Sequence, residues 1–154
     1  PYCTALKISG YTNLFTPSNK TTDELFKLHW PSSGNFGKRP TWEKWEPFLR
    51  GNVPNYKLGG CYALFEGVSL IYIGKGVGKV RGSTLSHGIS RRLSSHVLRI
   101  DKYEKDYHWC KLIDKWNGIT DIYTIGFSNE SEHLAHALEN FLIRKLSPPK
   151  NSNL

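Results

Sequence analysis

The residues of this chain best suited to chemistry are two tyrosines ten positions apart, an arginine and histidine four apart, and one late glutamate. The tyrosines sit in the tripeptides Gly60-Cys61-Tyr62 and Tyr72-Ile73-Gly74; the others are Arg92, His96 and Glu139. Phenols and imidazoles move protons. A guanidinium stabilises negative charge as it develops, and a carboxylate can hold a hard cation. Such a set can act only if the fold gathers it, so the elements carrying these residues come next.

Each tyrosine tripeptide lies on a short apolar run, and Phe65-Glu66-Gly67-Val68 joins the two runs as a tight hairpin turn. Register decides the outcome. A three-residue loop over Glu66, Gly67 and Val68 sets Phe65 against Ser69 and Tyr62 against Tyr72, with both phenols on one face. A two-residue loop shifts the register by one and sends them to opposite faces. The three-residue loop is the expectation.

Beyond the hairpin, an apolar line of Ile89, Leu93 and Val97 predicts a helix from His87 to Arg99. Arg92 and His96 fall on one face of it, beside that line and towards the sheet edge. A second helix is expected from Lys102 to Trp116, with Trp109, Leu112, Ile113 and Trp116 inward and Asn117-Gly118 as its stop. Asp121 to Phe127 alternates as a third strand. A last helix runs from Glu130 to Leu146, with Asn129 and Glu132 resembling a capping box and Pro148-Pro149 ending it. Glu139 lies beside that helix's apolar line of Leu134, Leu138, Phe141 and Leu142. A carboxylate at a core margin needs a partner, either an Arg or Lys or a cation. The class is α+β: a small three-stranded antiparallel sheet flanked by helices. Residues 59–154 form this domain, and 1–58 form a loop-rich extension. The extension has six prolines and helical stretches from Thr22 to Trp30 and from Thr41, the latter with Trp42, Trp45 and Leu49 on one face. Its tryptophans suit a satellite core better than base stacking.

Charge narrows the partners. The net charge is +8, and residues 75–99 carry six basic side chains without one Asp or Glu. Solvated faces usually mix signs; this stretch reads as a phosphate-binding surface. Three scattered cysteines without a CxxC give neither a zinc site nor a disulfide framework, and no run reaches membrane-spanning length. A reduced, cytoplasmic compartment is expected. Gly74-Lys75-Gly76-Val77-Gly78-Lys79 is glycine-rich after a strand, but its spacing is not that of a phosphate-binding loop and no parallel βαβ unit surrounds it. No nucleotide cofactor is expected.

The two tripeptides, the Arg-and-His helix, the sequence Ala137-Leu138-Glu139-Asn140-Phe141-Leu142-Ile143 and the closing Leu146-Ser147-Pro148-Pro149-Lys150-Asn151 together resemble the GIY-YIG nuclease family. Cys61 stands where the first tripeptide usually has Ile. The resemblance covers Gly60 to Asn151 and implies the family fold and a DNA endonuclease. It carries catalytic roles onto Tyr62, Tyr72, Arg92, His96, Glu139 and Asn151, with Arg91 the alternative to Arg92 if the register shifts by one. It implies that Glu139 binds a single Mg²⁺ (or Mn²⁺). Tyr62 would activate the attacking water, Tyr72 orient water or phosphate, Arg92 stabilise the phosphorane, and Asn151 support the site. Lys75, Lys79, Arg81, Arg91 and Arg99 would contact double-stranded DNA, some of them from an extended loop over Lys75 to Gly88. A stand-alone restriction-type enzyme, dimeric on a palindromic site, is the leading reading. A toxin domain of a larger effector and a non-catalytic nucleic-acid-binding module are the alternatives.

Overall fold

The computed structural model describes residues 16–31, 34, 36–78, 87–100 and 110–151. Lys79, Arg81 and most of the helix expected over Lys102 to Trp116 lie outside the described residues. In chain order the elements are α1 (Thr16–His29), β1 (Glu43–Lys44), β2 (Gly59–Glu66), β3 (Ser69–Gly76) and α2 (Gly88–His96). They continue with β4 (Leu98–Ile100), β5 (Cys110–Leu112), a 3-10 turn (Asp114–Trp116), β6 (Asp121–Phe127) and α3 (Leu134–Leu146). The fold is α+β: three helices, a four-stranded antiparallel sheet in the order β1-β6-β2-β3, and a two-stranded sheet of β4 and β5.

Side-chain alternation on the central strands builds two cores, one on each face. Cys61, Ala63 and Phe65 of β2, Ile73 of β3, and Ile125 and Phe127 of β6 pack with Ala135, Leu138 and Leu142 of α3. Leu25 and Phe26 of α1 join the same core. The intervening residues Tyr62, Leu64 and Ile122 face the other way, onto Ile89 and Leu93 of α2 and onto Val97, Leu98 and Trp116. The period of two is the reason one strand can serve both layers.

The hairpin is not built as expected. Its loop has two residues, since Glu66 pairs with Ser69 and Gly67 takes a φ of 57°. Glycine meets that turn conformation without steric cost. On this register alone the tyrosines would part. A β-bulge intervenes: Phe65 pairs with Leu70 but Leu64 pairs with Tyr72, which leaves Ile71 as the extra residue. The bulge restores parity. Tyr62 then lies opposite Gly74 and diagonal to Tyr72 on one face, with ring centroids 6.1 Å apart. Gly74 must be small there, because a Cβ would stand 2.5 Å from the Tyr62 hydroxyl.

Four further expectations are corrected. Residues 43–44 form β1 rather than a helix from Thr41; Trp45 is pinned by its indole N–H donating to the Arg50 carbonyl at 2.8 Å. The helix expected to reach Arg99 stops at His96, and the chain re-enters as β4 against β5. Cys110 to Leu112 is a strand and only Asp114 to Trp116 turns, so the apolar spacing in this part belongs to a small sheet and a 3-10 turn. The helix α3 starts at Leu134 with His133 as its N-cap and no side-chain cap bond, and Glu132 accepts the Gly78 N–H at 2.8 Å. The tryptophans of the extension do pack as core, but in the two main layers, Trp30 in one and Trp45 in the other; α1 packs on α3, and β1 adds a fourth strand beside β6 to the sheet expected to have three.

Candidate functional site

β3 is the edge strand, and the site forms at its C-terminal end, where α2 comes over one face and α3 over the other. A cavity of about 410 Å³ opens there, lined by Lys75, Gly76, Val77, Gly88, Arg91, Arg92, Ser95, His96 and Glu139. Gly76 and Gly88 touch backbone to backbone, so α2 starts directly on the strand. That contact lets the first turns of α2 hang Arg91, Arg92 and His96 over the opening. Of the residues singled out in the sequence, five meet here: Lys75, Arg91, Arg92, His96 and Glu139.

Glu139 forms an ion pair with Lys75; the two side chains are 16% and 31% exposed. The partner a core-margin carboxylate needs is therefore supplied within the chain. One hard cation would be held here only in place of the Lys75 ammonium. A single half-buried carboxylate faces a cavity wide enough for a hydrated ion, and the described residues hold no cluster of three His, Cys, Asp or Glu. Mg²⁺ retains most of its waters and fits such a site; a cage-type Ca²⁺ or Zn²⁺ centre would need more ligands. Beneath the pair, the Cys61 thiol donates to the Ala135 carbonyl at 3.2 Å, and burial keeps it well above the ordinary thiol range, hence neutral.

Tyr62 does not line the cavity. It is 1% exposed; the Tyr72 ring lies 6.1 Å from its own, and the Arg92 guanidinium is close enough for its charge to act on the hydroxyl. Burial pushes that hydroxyl well above the usual phenol range; Tyr72 adds to the rise and Arg92 opposes it. The cation that Tyr62 would need as a base is present, but desolvation outweighs it. His96 is placed the other way. It is exposed on the cavity wall, and desolvation, Arg92 and Lys115 together hold its imidazole below 6.5. At neutral pH it is an uncharged group that can take a proton.

Tyr72 is half-buried between Tyr62 and Trp116, whose ring centroid is 5.2 Å away. Asn151 is behind β3 and not in the cavity. It is 3% exposed; its side-chain oxygen accepts the Ile73 N–H and its amide donates to the Ile73 carbonyl, both at 2.8 Å. It acts as one residue of a missing neighbouring strand and closes the sheet edge between Tyr72 and Gly74. Arg91 is partly spent on the backbone, since its guanidinium reaches the Val77 and Gly78 carbonyls at 3.4 and 3.2 Å. Gly78 is held from the other side by Glu132, so these two residues fix the start of the segment that carries Lys79 and Arg81. Arg99, on β4, is exposed and outside the cavity lining.

Two groups escaped the sequence reading. Lys115 and Lys150 both stand over Trp116, at 5.0 and 4.7 Å from its ring centroid. Neither lies in the basic stretch, so no run of charge in the sequence marks them. No described helix is long and apolar enough to cross a membrane. Comparison with known proteins finds no match for this chain among protein-family descriptions, curated proteins or solved structures.

Proposed function

We propose that this protein is a divalent-metal-dependent endonuclease that hydrolyses phosphodiester bonds of double-stranded DNA, after the manner of the GIY-YIG nucleases it resembles. The observation that carries the reading is the single cavity at the end of β3, which gathers two arginines, a lysine, a neutral histidine and a lone carboxylate. In this reading Arg92 holds the scissile phosphate and stabilises the charge that builds on it. His96 takes the proton of the attacking water, the role first expected of Tyr62. Water's oxygen bonds to phosphorus, one P–O ester bond breaks, and the leaving oxygen is protonated from solvent. Glu139 is the residue to hold one Mg²⁺, which would supply Lewis-acid stabilisation of the phosphate oxygens. Tyr62 and Tyr72, with ring centroids 6.1 Å apart, form the buried wall beside Arg92 that positions it. A restriction-type enzyme remains the leading form, with a toxin domain as its competitor.

One observation favours a second reading. Lys75 neutralises Glu139, so the carboxylate need not repel a bound phosphate, and a binding module that never cleaves could keep the same residues. Supercoiled plasmid incubated with the protein and Mg²⁺, and separately with EDTA, separates the two. Metal-dependent nicking or discrete fragments that vanish in Glu139→Gln and Arg92→Ala, with DNA binding retained, support the enzyme, and a smear points to the toxin. Binding without cleavage under both Mg²⁺ and Mn²⁺ sinks the enzyme reading and supports the module.

A further inference from the structure

Trp116 carries two ammonium groups on one indole. Lys150 is held there: its Nζ donates to the Lys115 carbonyl at 3.0 Å, and its backbone N–H donates to the Ile71 carbonyl at 3.1 Å. The indole is itself fixed, 4% exposed, with its N–H donating to the His96 carbonyl at 2.8 Å. Among the described residues neither lysine forms an ion pair; the pairs found join Lys44 to Glu46 and Asp121, and Lys75 to Glu139. Each ammonium gains only modestly from the ring face at an exposed site. Two like charges fixed over one ring, without a carboxylate, are best relieved by an anion that touches both.

The location says which anion. Trp116 packs at a tilt against Tyr72, and the field of Lys115 reaches His96, which shares the cavity wall with Arg92. The lysine pair thus lies past the end of α2, beyond the cavity wall that carries Arg92 and His96. We propose that Lys115 and Lys150 form a second phosphate site, which takes the phosphodiester flanking the one held at Arg92. The identity of the anion as nucleic acid rests on the nuclease reading; the existence of the anion site does not.

The test uses the full chain, a fluorescein-labelled DNA duplex and, separately, inorganic phosphate. Binding of the duplex is followed by anisotropy between 50 and 200 mM NaCl, concentrations of the order at which phosphate contacts separate. The variant Lys115→Ala/Lys150→Ala should weaken binding about three- to tenfold and reduce the slope of log K against log salt by about 1. Lys20→Ala/Lys27→Ala, which removes two exposed charges from α1, is the charge-matched control and should leave the slope unchanged. Lys115→Gln/Lys150→Gln repeats the loss with most of the side-chain length kept, against any packing effect on Trp116. An unchanged slope in both Lys115/Lys150 variants, with the wild type binding DNA, overturns the second phosphate site. If the wild type fails to bind DNA yet inorganic phosphate shifts the His96 NMR resonances, and the double variants abolish that shift, the anion site stands and the nuclease reading falls. Binding of neither ligand overturns the proposal.

Discussion

Replacing Asn151 by Ala tests whether this residue builds the site or works in it. Its amide satisfies the N–H and the C=O of Ile73, each at 2.8 Å, in a place 3% exposed. Truncation leaves two backbone groups of an edge strand without partners, and each orphaned group costs about 1–3 kcal/mol. The total is about 2–6 kcal/mol, against roughly 5–15 kcal/mol for a whole domain. At a central ~4 kcal/mol, the midpoint of thermal unfolding should fall by about 12 °C for a chain of this size. Urea denaturation followed by tryptophan fluorescence reads the loss directly, as a lower midpoint at unchanged slope. Asn151→Asp supplies an internal check. A carboxylate can still accept the Ile73 N–H but sets its second oxygen against the Ile73 carbonyl, so its pKa is raised in the folded state. A raised carboxyl pKa gives stability that is complete below the unfolded value and lost as pH climbs through the folded one. The deficit of Asn151→Asp should therefore shrink in acid, while that of Asn151→Ala should not. A stability change within about 0.5 kcal/mol for Asn151→Ala would refute the strand-edge role, because surface substitutions without such a role fall in that range.

Two other perturbations probe the same wall. Gly74→Ala places a methyl 2.5 Å from the Tyr62 hydroxyl and 2.8 Å from the Tyr72 ring. Overpacking of this kind costs about 1–3 kcal/mol; unfolding at the wild-type urea midpoint would show that the tyrosines do not sit as described. His96 should titrate by NMR below 6.5, through desolvation first and then the fields of Arg92 and Lys115. Its midpoint should rise in Arg92→Ala and in Lys115→Ala, whereas a wild-type value above 6.5 would contradict the placement. The sign for stability follows: the unfolded chain takes this proton first, so folding is disfavoured as pH falls from about 6.5 towards the lower folded value.

The hairpin shows how much of the site was legible in the sequence. The alternation of β2 and β6 could be read directly, since burial on two faces imposes a period of two on residues such as Tyr62 and Ile122. The turn could not. A two-residue loop with a bulge at Ile71 and a three-residue loop without one both put the tyrosines on one face. Local sequence does not distinguish them, because the bulge depends on where Ile71 packs and on the Lys150 N–H that meets its carbonyl from far along the chain. The β4–β5 sheet was hidden for a related reason. Leu112, Ile113 and Trp116 fit a helical period as well as they fit a short strand followed by a 3-10 turn, and short apolar runs are ambiguous by pattern alone. Asn151 was visible as a residue but not as a role, since an edge-closing amide is defined only by the strand it meets.

The Lys75–Glu139 pair ties the two readings of the cavity to one physical quantity. Lys75, Arg91 and Arg92 bring three positive charges to its lining, and Glu139 brings one negative charge. With Lys75 on Glu139, the cavity keeps a surplus that attracts phosphate but offers a cation no free carboxylate. A divalent ion at Glu139 must displace the Lys75 ammonium, which moves away from one anion and, on its flexible stem, towards another. A phosphate already held by Arg92 is the nearest partner that would accept it. In the nuclease reading, metal and phosphate should therefore bind with positive coupling, each lowering the cost of seating the other, and by linkage the effect is reciprocal. A binding module has no such requirement: its phosphate affinity would be indifferent to Mg²⁺ apart from ordinary screening.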